Sequence, residues 1–272
     1  HPVEAGLAAV ERLCIRRKAP NAKIANRGDG RRNRVKNYSR ASVLRRWLLE
    51  NFGADLLRTG SGVLDIAGGK GELAWELLNL NLVPALVVEP RSMEFRSVER
   101  KWRSGMYWRN PIFHGHLHCK HDPDGPLRTP GHLRMLLTPA VVRWLAVSAL
   151  EGPEGECSQG EAAFEESHSR AMDLRWTRKG LKAHEDGEEL PEPLNEDVEE
   201  VPEHSEVQDS QAAEENEIVS APAARDAMLS CSAIVALHPD QAAEFAIHLA
   251  LALGKPFAVV PCCVYSLEFP KR

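Results

Sequence analysis

Apolar positions along the chain change period repeatedly. Residues 39–52 (SRASVLRRWLLENF) place Val43, Leu44, Trp47, Leu48 and Phe52 at helical spacing, with Ser39 or Ser42 available to cap the start and Gly53 to end it. Residues 62–67 (GVLDIA) are a short apolar run that predicts a buried strand, followed by the tight loop Gly68-Gly69-Lys70-Gly71. Residues 72–80 (ELAWELLNL) predict an amphipathic helix. Ala85-Leu86-Val87-Val88-Glu89 reads as a second strand broken by Pro90, with a helix over 92–103. Residues 104–150 are less regular and suggest one helix at about 131–150, with Pro139 as a kink or a start. Further on, a strand is expected at 232–237, a helix at 239–253 stopped by Gly254-Lys255-Pro256, and a strand at 257–260. Apolar strands alternating with helices predict an α/β fold, a Rossmann-like parallel sheet with helices on both faces.

Composition changes this picture mainly through charge. The 272 residues are 43% hydrophobic, which fits a globular protein of one domain or at most two. The longest apolar stretches, such as 245–253, are far shorter than a bilayer span, so a membrane partner is not expected. Six scattered cysteines do not make a disulfide framework and point to a reducing compartment, cytoplasmic or nuclear. The first residue is His1, so the chain reads as a fragment or a processed form, and an organellar targeting segment upstream is compatible with it.

The formal net charge of −5 hides two opposite segments: residues 151–220 hold 22 Asp and Glu against 5 Lys and Arg. The part from 184 to 216 is rich in Glu, Pro, Asp and Ser and has no aromatic residue. It cannot bury enough apolar surface to offset roughly 1–2 kcal/mol of backbone entropy per residue and reads as disordered. Residues 11–46 carry thirteen basic side chains against Glu11 and Asp29. Such a cluster attracts polyanions by phosphate contact and counterion release, which makes RNA an expected partner. The organisation expected is a basic arm over 1–38, a core over 39–150, an acidic low-complexity insert over 151–228, and the rest of the core over 229–272.

The stretch from Val63 to Leu73 has the strand, glycine loop and helix layout of a nucleotide-type cofactor site. Glu89 stands 18 residues after Gly71, at a strand end where a carboxylate can accept from both hydroxyls of a ribose. Gly69-Lys70-Gly71-Glu72-Leu73-Ala74 satisfies the loose dinucleotide fingerprint GxGxxA, so an NAD-type enzyme is one reading. Asp65 opposes it, because a fixed carboxylate repels a pyrophosphate and suits a cation. S-adenosylmethionine carries an ammonium, a sulfonium and a ribose, and no phosphate.

The stretch resembles motif I of class I S-adenosylmethionine-dependent methyltransferases, Asp/Glu-x-Gly-x-Gly-x-Gly. Asp65, Gly69 and Gly71 match it, while Ala67 stands at the first glycine, which calls for negative φ there. Glu89 matches the family's acidic residue on the second strand, which holds the ribose. The Gly69-Lys70-Gly71-x-Leu73 variant is similar to that of RNA-directed methyltransferase-like groups, including a tRNA 2′-O-methyltransferase family. The resemblance implies a cofactor site of Asp65, Ala67, Gly68, Gly69, Lys70, Gly71 and Glu89. It also implies a polar segment after the fourth strand, here His238-Pro239-Asp240, and a substrate-lining segment after the fifth, here Pro261-Cys262-Cys263. Class I folds finish with two more strands, so the sheet is expected to be incomplete.

An unperturbed imidazole titrates near ~6.5, which makes His238 the candidate base, with Asp240 orienting it or binding substrate. The other reading of these residues is a capped helix start. Cys262 and Cys263 serve equally as packing residues. His114, His116, His118, Cys119 and His121 read as a polar surface strand or loop, and no metal site is assigned; a zinc or iron site needs the three alternate imidazoles on one strand face. The function expected is an S-adenosylmethionine-dependent methyltransferase whose acceptor, RNA or otherwise, is open. The alternatives are a non-catalytic methyltransferase-like module that binds RNA or protein and an NAD-type enzyme. The sequence is silent on oligomeric state.

Overall fold

The computed structural model describes residues 39–151, 157–173, 176–177, 180–181, 216–239 and 242–261. In chain order the elements are α1 (Arg40–Phe52), α2 (Ala54–Leu57), β1 (Val63–Ile66), α3 (Glu72–Asn81), β2 (Ala85–Val88), α4 (Arg96–Arg103), α5 (Met106–Arg109) and β3 (Gly131–Leu133). They continue with α6 (Pro139–Glu151), α7 (Cys157–Asp173), the short antiparallel pair β4 (Trp176–Thr177) and β5 (Gly180–Leu181), α8 (Ala221–Leu229), β6 (Ala233–Leu237), α9 (Ala243–Leu253) and β7 (Phe257–Val260).

Five strands form one sheet in the order β3-β2-β1-β6-β7, and every pairing in it is parallel. The inner strands are apolar on both faces because both faces are covered. Val63, Ala85, Val87, Ala233 and Val235 point to one side, where they meet α1, α3, α4 and α5. Leu64, Ile66, Leu86, Val88, Ile234 and Ala236 point to the other, where they meet α6, α7, α8 and α9. The fold is therefore α/β and Rossmann-like, as the alternation of strands and helices predicts. Among the described residues no helix is long and apolar enough to cross a membrane.

Several expected boundaries move. Gly131–Leu133 is a strand, not the start of a helix, and the helix begins at Pro139. The first helix has no side-chain cap at Ser39, and Ser42 turns inward instead, donating to Glu76 Oε1 at 2.7 Å. The span 151–228, read from composition as one acidic low-complexity insert, contains α7 and all of α8 but its last residue. Both are tied to the core, through Phe164 and Ala171 in one and Ala224 and Met228 in the other. A Cβ on Gly160 would lie 1.7 Å from Trp144 Cδ1, so α7 lies against α6 at a distance only glycine permits. The arm 1–38 and residues 182–215 of the acidic segment lie outside the described residues. At the edge of the sheet, residues 216–218 run along β3: His132 N–H donates to the Asn216 carbonyl at 3.0 Å and Ile218 N–H to the His132 carbonyl at 2.8 Å.

Two members of the basic cluster are spent on the fold. Arg46 donates to the Pro111 and Ile112 carbonyls, each at 3.2 Å. Arg45 is fully buried between α1, α3 and the segment after α5. Its guanidinium meets Asn81 Oδ1 at 2.9 Å, the Phe113 carbonyl at 2.7 Å and Glu76 Oε2 at 3.4 Å. Glu76 also accepts from Tyr107 Oη at 3.0 Å. Burial lowers the Arg45 pKa and raises that of Glu76, and each partner's charge opposes the other's shift. Removing one member strands the other in the core, which costs about 3–5 kcal/mol. Thermal unfolding of Arg45→Ala is expected to show a melting temperature lower by roughly 6–20 °C. An Arg45→Met, Glu76→Leu double variant should recover most of that loss; equal losses for the two would contradict the pairing.

Candidate functional site

The chain leaves β1 toward β2 and leaves β6 toward β7, although β1 and β6 are neighbours. This is the switch point of the sheet, and the crevice outside its carboxyl edge is where open α/β sheets bind ligands. The residues there come from the loop after β1, the end of β2 and the turn after β6.

The first loop is held open by backbone geometry. Gly69 and Gly71 have φ of 60° and 78°, and Gly71 is the N-cap of α3. Ala67 has φ of 54°, contrary to the negative φ expected of an alanine at that place. The left-handed conformation costs an L-residue roughly 1–2 kcal/mol and is kept here by the Ala67 N–H bond to the Val88 carbonyl at 2.8 Å. Gly68 is needed for space: a Cβ there would lie 2.7 Å from Asp65 Oδ2 and 2.9 Å from Val87 Cγ1. Lys70 is exposed and pairs with Glu94 at 2.7 Å, while Glu94 N–H donates to the Lys70 carbonyl at 3.1 Å. The glycine loop and the loop after β2 are thus fastened side by side.

Asp65 pairs with Val87 on one side and Val235 on the other, so alternation aims its side chain at the apolar layer under α3. It is 1% exposed, and neither carboxyl oxygen has a hydrogen-bond partner among the described residues. Desolvation, with the nearby charge of Glu89 adding to it, raises its pKa to about 8.

Glu89, 2% exposed, follows the last residue of β2. Its Oε2 accepts from Gly69 N–H at 2.9 Å and its Oε1 from Arg91 Nε at 2.7 Å. Its backbone carbonyl lies 2.9 Å from His132 Nε2. Burial lowers the His132 pKa, which favours a neutral ring whose Nε2–H donates to that carbonyl. His132 and Arg91 were absent from the sequence-based site. Assigning 131–150 to a helix concealed His132, although the breaker Pro130-Gly131 in front of it marks the true boundary.

His238 directly follows β6 with φ of 56°, the second non-glycine at the switch point in the left-handed region. Its N–H donates to the Val260 carbonyl at 2.8 Å, which holds the turn against β7. Asp240 lies outside the described residues, as do Cys262 and Cys263; Pro261 is exposed at the end of β7. The structure therefore brings Asp65, Ala67, Gly68, Gly69, Gly71 and Glu89 together and puts His238 at the end of the adjacent central strand.

The histidines of 114–121 lie in a loop, not on a strand, and His116 and His121 take separate partners. His116 pairs with Glu50 at 3.5 Å, and His121 Nε2 lies 3.0 Å from the Trp102 carbonyl. Cys119 Sγ contacts the Asn79 carbonyl at 3.7 Å. Among the described residues no group of three or more His, Cys, Asp or Glu is arranged to hold a metal ion. No family model matches the chain, and no curated protein or solved structure matches it at significance.

The Asp65 geometry makes a prediction about stability. The raised pKa means that between about pH 4 and about pH 8 the folded protein holds a proton that the unfolded chain releases. Folding is therefore disfavoured as the pH climbs through that window, and the full penalty is present above it. Asp65→Asn removes this dependence. The melting temperature of the variant minus that of the wild type should rise from pH 4 to pH 8 and then level off; a flat difference would contradict the unpartnered carboxylate.

Proposed function

We propose that this chain is an S-adenosylmethionine-dependent methyltransferase of the class I type, acting on an acceptor that includes RNA, with tRNA as the candidate. The observation that carries the reading is the Asp65 carboxyl group, buried at the carboxyl edge with no hydrogen-bond partner among the described residues. Burial keeps Asp65 protonated in the free protein up to about pH 8, and a ligand that brings a positive charge favours the ionised form that the protein alone disfavours. This carboxyl group disfavours a ligand whose pyrophosphate sits at the same loop, which sets the NAD-type reading behind this one.

The residues fit the cofactor. Asp65 and the backbone of 67–71 would hold its cationic amino-acid end, with Gly68 letting the loop pass close over Asp65. Glu89 at the end of β2 accepts from the ribose hydroxyls, and His132 fixes the Glu89 backbone from behind. The cofactor supplies a methyl group on a sulfonium, already activated for displacement. The chain's work is then alignment of the acceptor, and good alignment supplies on the order of 7–11 kcal/mol. His238, at the end of the strand next to β1, accepts a proton from an acceptor that carries one near neutral pH. Its left-handed backbone is the kind of local strain that gathers at working sites. The basic residues of 1–38, outside the described part, bind the phosphates of the acceptor.

Isothermal calorimetry and a labelled-methyl assay test this together. The wild-type chain should bind S-adenosylmethionine, and Asp65→Ala should lose at least about tenfold in affinity, since a charge-assisted contact is removed. His238→Ala should keep the affinity and lower methyl transfer to RNA by about 10²–10⁴-fold. Absence of binding to the wild type would sink the proposal. Binding without transfer to RNA, protein or small molecules would favour the non-catalytic module.

A further inference from the structure

The backbone of Glu89 is held at the point where the sheet ladder gives out. β2 and β3 pair through Val88 and Leu133, and the Glu89 N–H still donates to the Leu133 carbonyl at 3.2 Å. In a continued parallel ladder the Met135 N–H would serve the Glu89 carbonyl. That N–H turns back to the Leu133 carbonyl instead, at 2.9 Å, and Pro90 has no N–H with which to carry the ladder on. Two side chains take over. His132 Nε2 lies 2.9 Å from the Glu89 carbonyl, and Arg134 Nε donates to the Pro90 carbonyl at 3.2 Å. His132 is 2% exposed, and its own backbone is fixed from outside by Asn216 and Ile218. The stretch after β3 is gripped by α7: His168 Nδ1 lies 2.8 Å from the Arg134 carbonyl, and Ser167 Oγ accepts from the Leu136 N–H at 3.0 Å. The carbonyls of Glu89 and Pro90 are therefore set by side chains whose own backbone is set in turn.

We propose that His132 and Arg134 are positioning residues for the ribose-binding carboxylate, acting through the backbone of Glu89 and Pro90. The inference rests on the reading of Glu89 as the ribose acceptor. The Gly69 N–H and Arg91 orient the Glu89 carboxylate, but the chain places its Cα, and a shift of the chain moves both acceptor oxygens with it. Recognition of two hydroxyls demands placement within about 0.5 Å. A sheet ladder would give that placement and is missing here, so an imidazole and a guanidinium supply it. Burial lowers the His132 pKa, which keeps the ring neutral and leaves Nε2–H as the donor. Because Ser167 and His168 belong to α7, a helix of the acidic span supports the selection of an intact ribose.

Adenosine and 2′,3′-dideoxyadenosine are the probes, measured by calorimetry, because they differ only in the two hydroxyls and carry no charge near neutral pH. The wild type should prefer adenosine. His132→Leu is expected to bind adenosine about tenfold more weakly and dideoxyadenosine within about twofold of the wild type, so the preference shrinks. His132→Gln, whose amide can donate to the same carbonyl, should restore most of it. Arg134→Met should shift the ratio in the same direction by less, since Arg134 is only partly buried. A merely structural histidine would lower the melting temperature and leave the ratio of the two affinities unchanged. If His132→Leu does not fold, Arg134→Met carries the test. A wild-type ratio in every folded variant would overturn the positioning role and leave the function reading intact. A wild type that binds S-adenosylmethionine but does not prefer adenosine would overturn Glu89 as the ribose acceptor, and this inference with it. A wild type that binds none of the three compounds would overturn the function reading as well.

Discussion

A single desolvated carboxylate sets the terms for the rest of this molecule. Asp65 occupies a strand position at which Val63, Val87 and Val235 all face the same apolar layer. An aliphatic residue there would stabilise the sheet by about 1.5–3 kcal/mol through burial. The aspartate does the reverse, and its pKa, pushed up to about 8, measures how poorly the free protein accommodates its charge. A fold that keeps such a group needs a strong frame around it. The two apolar layers and the Arg45–Glu76 network supply one, fastening α1 and α3 over the face of the sheet that carries Asp65.

The surrounding loops follow from the same requirement. Ala67 and His238 take the left-handed backbone at the ends of the two central strands. Their carbonyl-bound N–H groups tie each turn to the strand beside it, β2 for one and β7 for the other. The glycine loop is fixed to Glu89 through Gly69 and to the next loop through Lys70 and Glu94. The result is a crevice edge with two acidic side chains nearly out of solvent, one of them satisfied and one not. The Arg91 side chain and the Gly69 N–H reach Glu89, and no donor among the described residues reaches Asp65.

Much of this was legible in the residues. The strands VLDI, ALVV, AIVAL and FAVV are apolar at nearly every position, which only a sheet covered on both faces explains, and the glycine loop with Asp65 and Glu89 marks its own place. What could not be read depended on contacts across long stretches of chain. β3 has three residues, too short to show a period, and is a strand only because β2 and residues 216–218 flank it. Arg45 looks like one more member of a basic arm until Glu76 and Asn81 are folded against it. The helix α7 carries many charges, and its place in the fold rests on a few apolar contacts such as Phe164. Arg91 gives no sign in the sequence of which carboxylate it covers.

The central claim is that Asp65 is held without a counter-charge until a cationic ligand provides one. The most direct measurement is a carbon-13 NMR titration of the aspartate carboxyls in the labelled protein, with Asp65→Asn to assign the signal. The account predicts one carboxyl that titrates near 8 in the free protein and moves well toward the ordinary carboxylate range when S-adenosylmethionine is added. A signal for Asp65 already near 4 without ligand, or one near 8 that the ligand does not move, would contradict it.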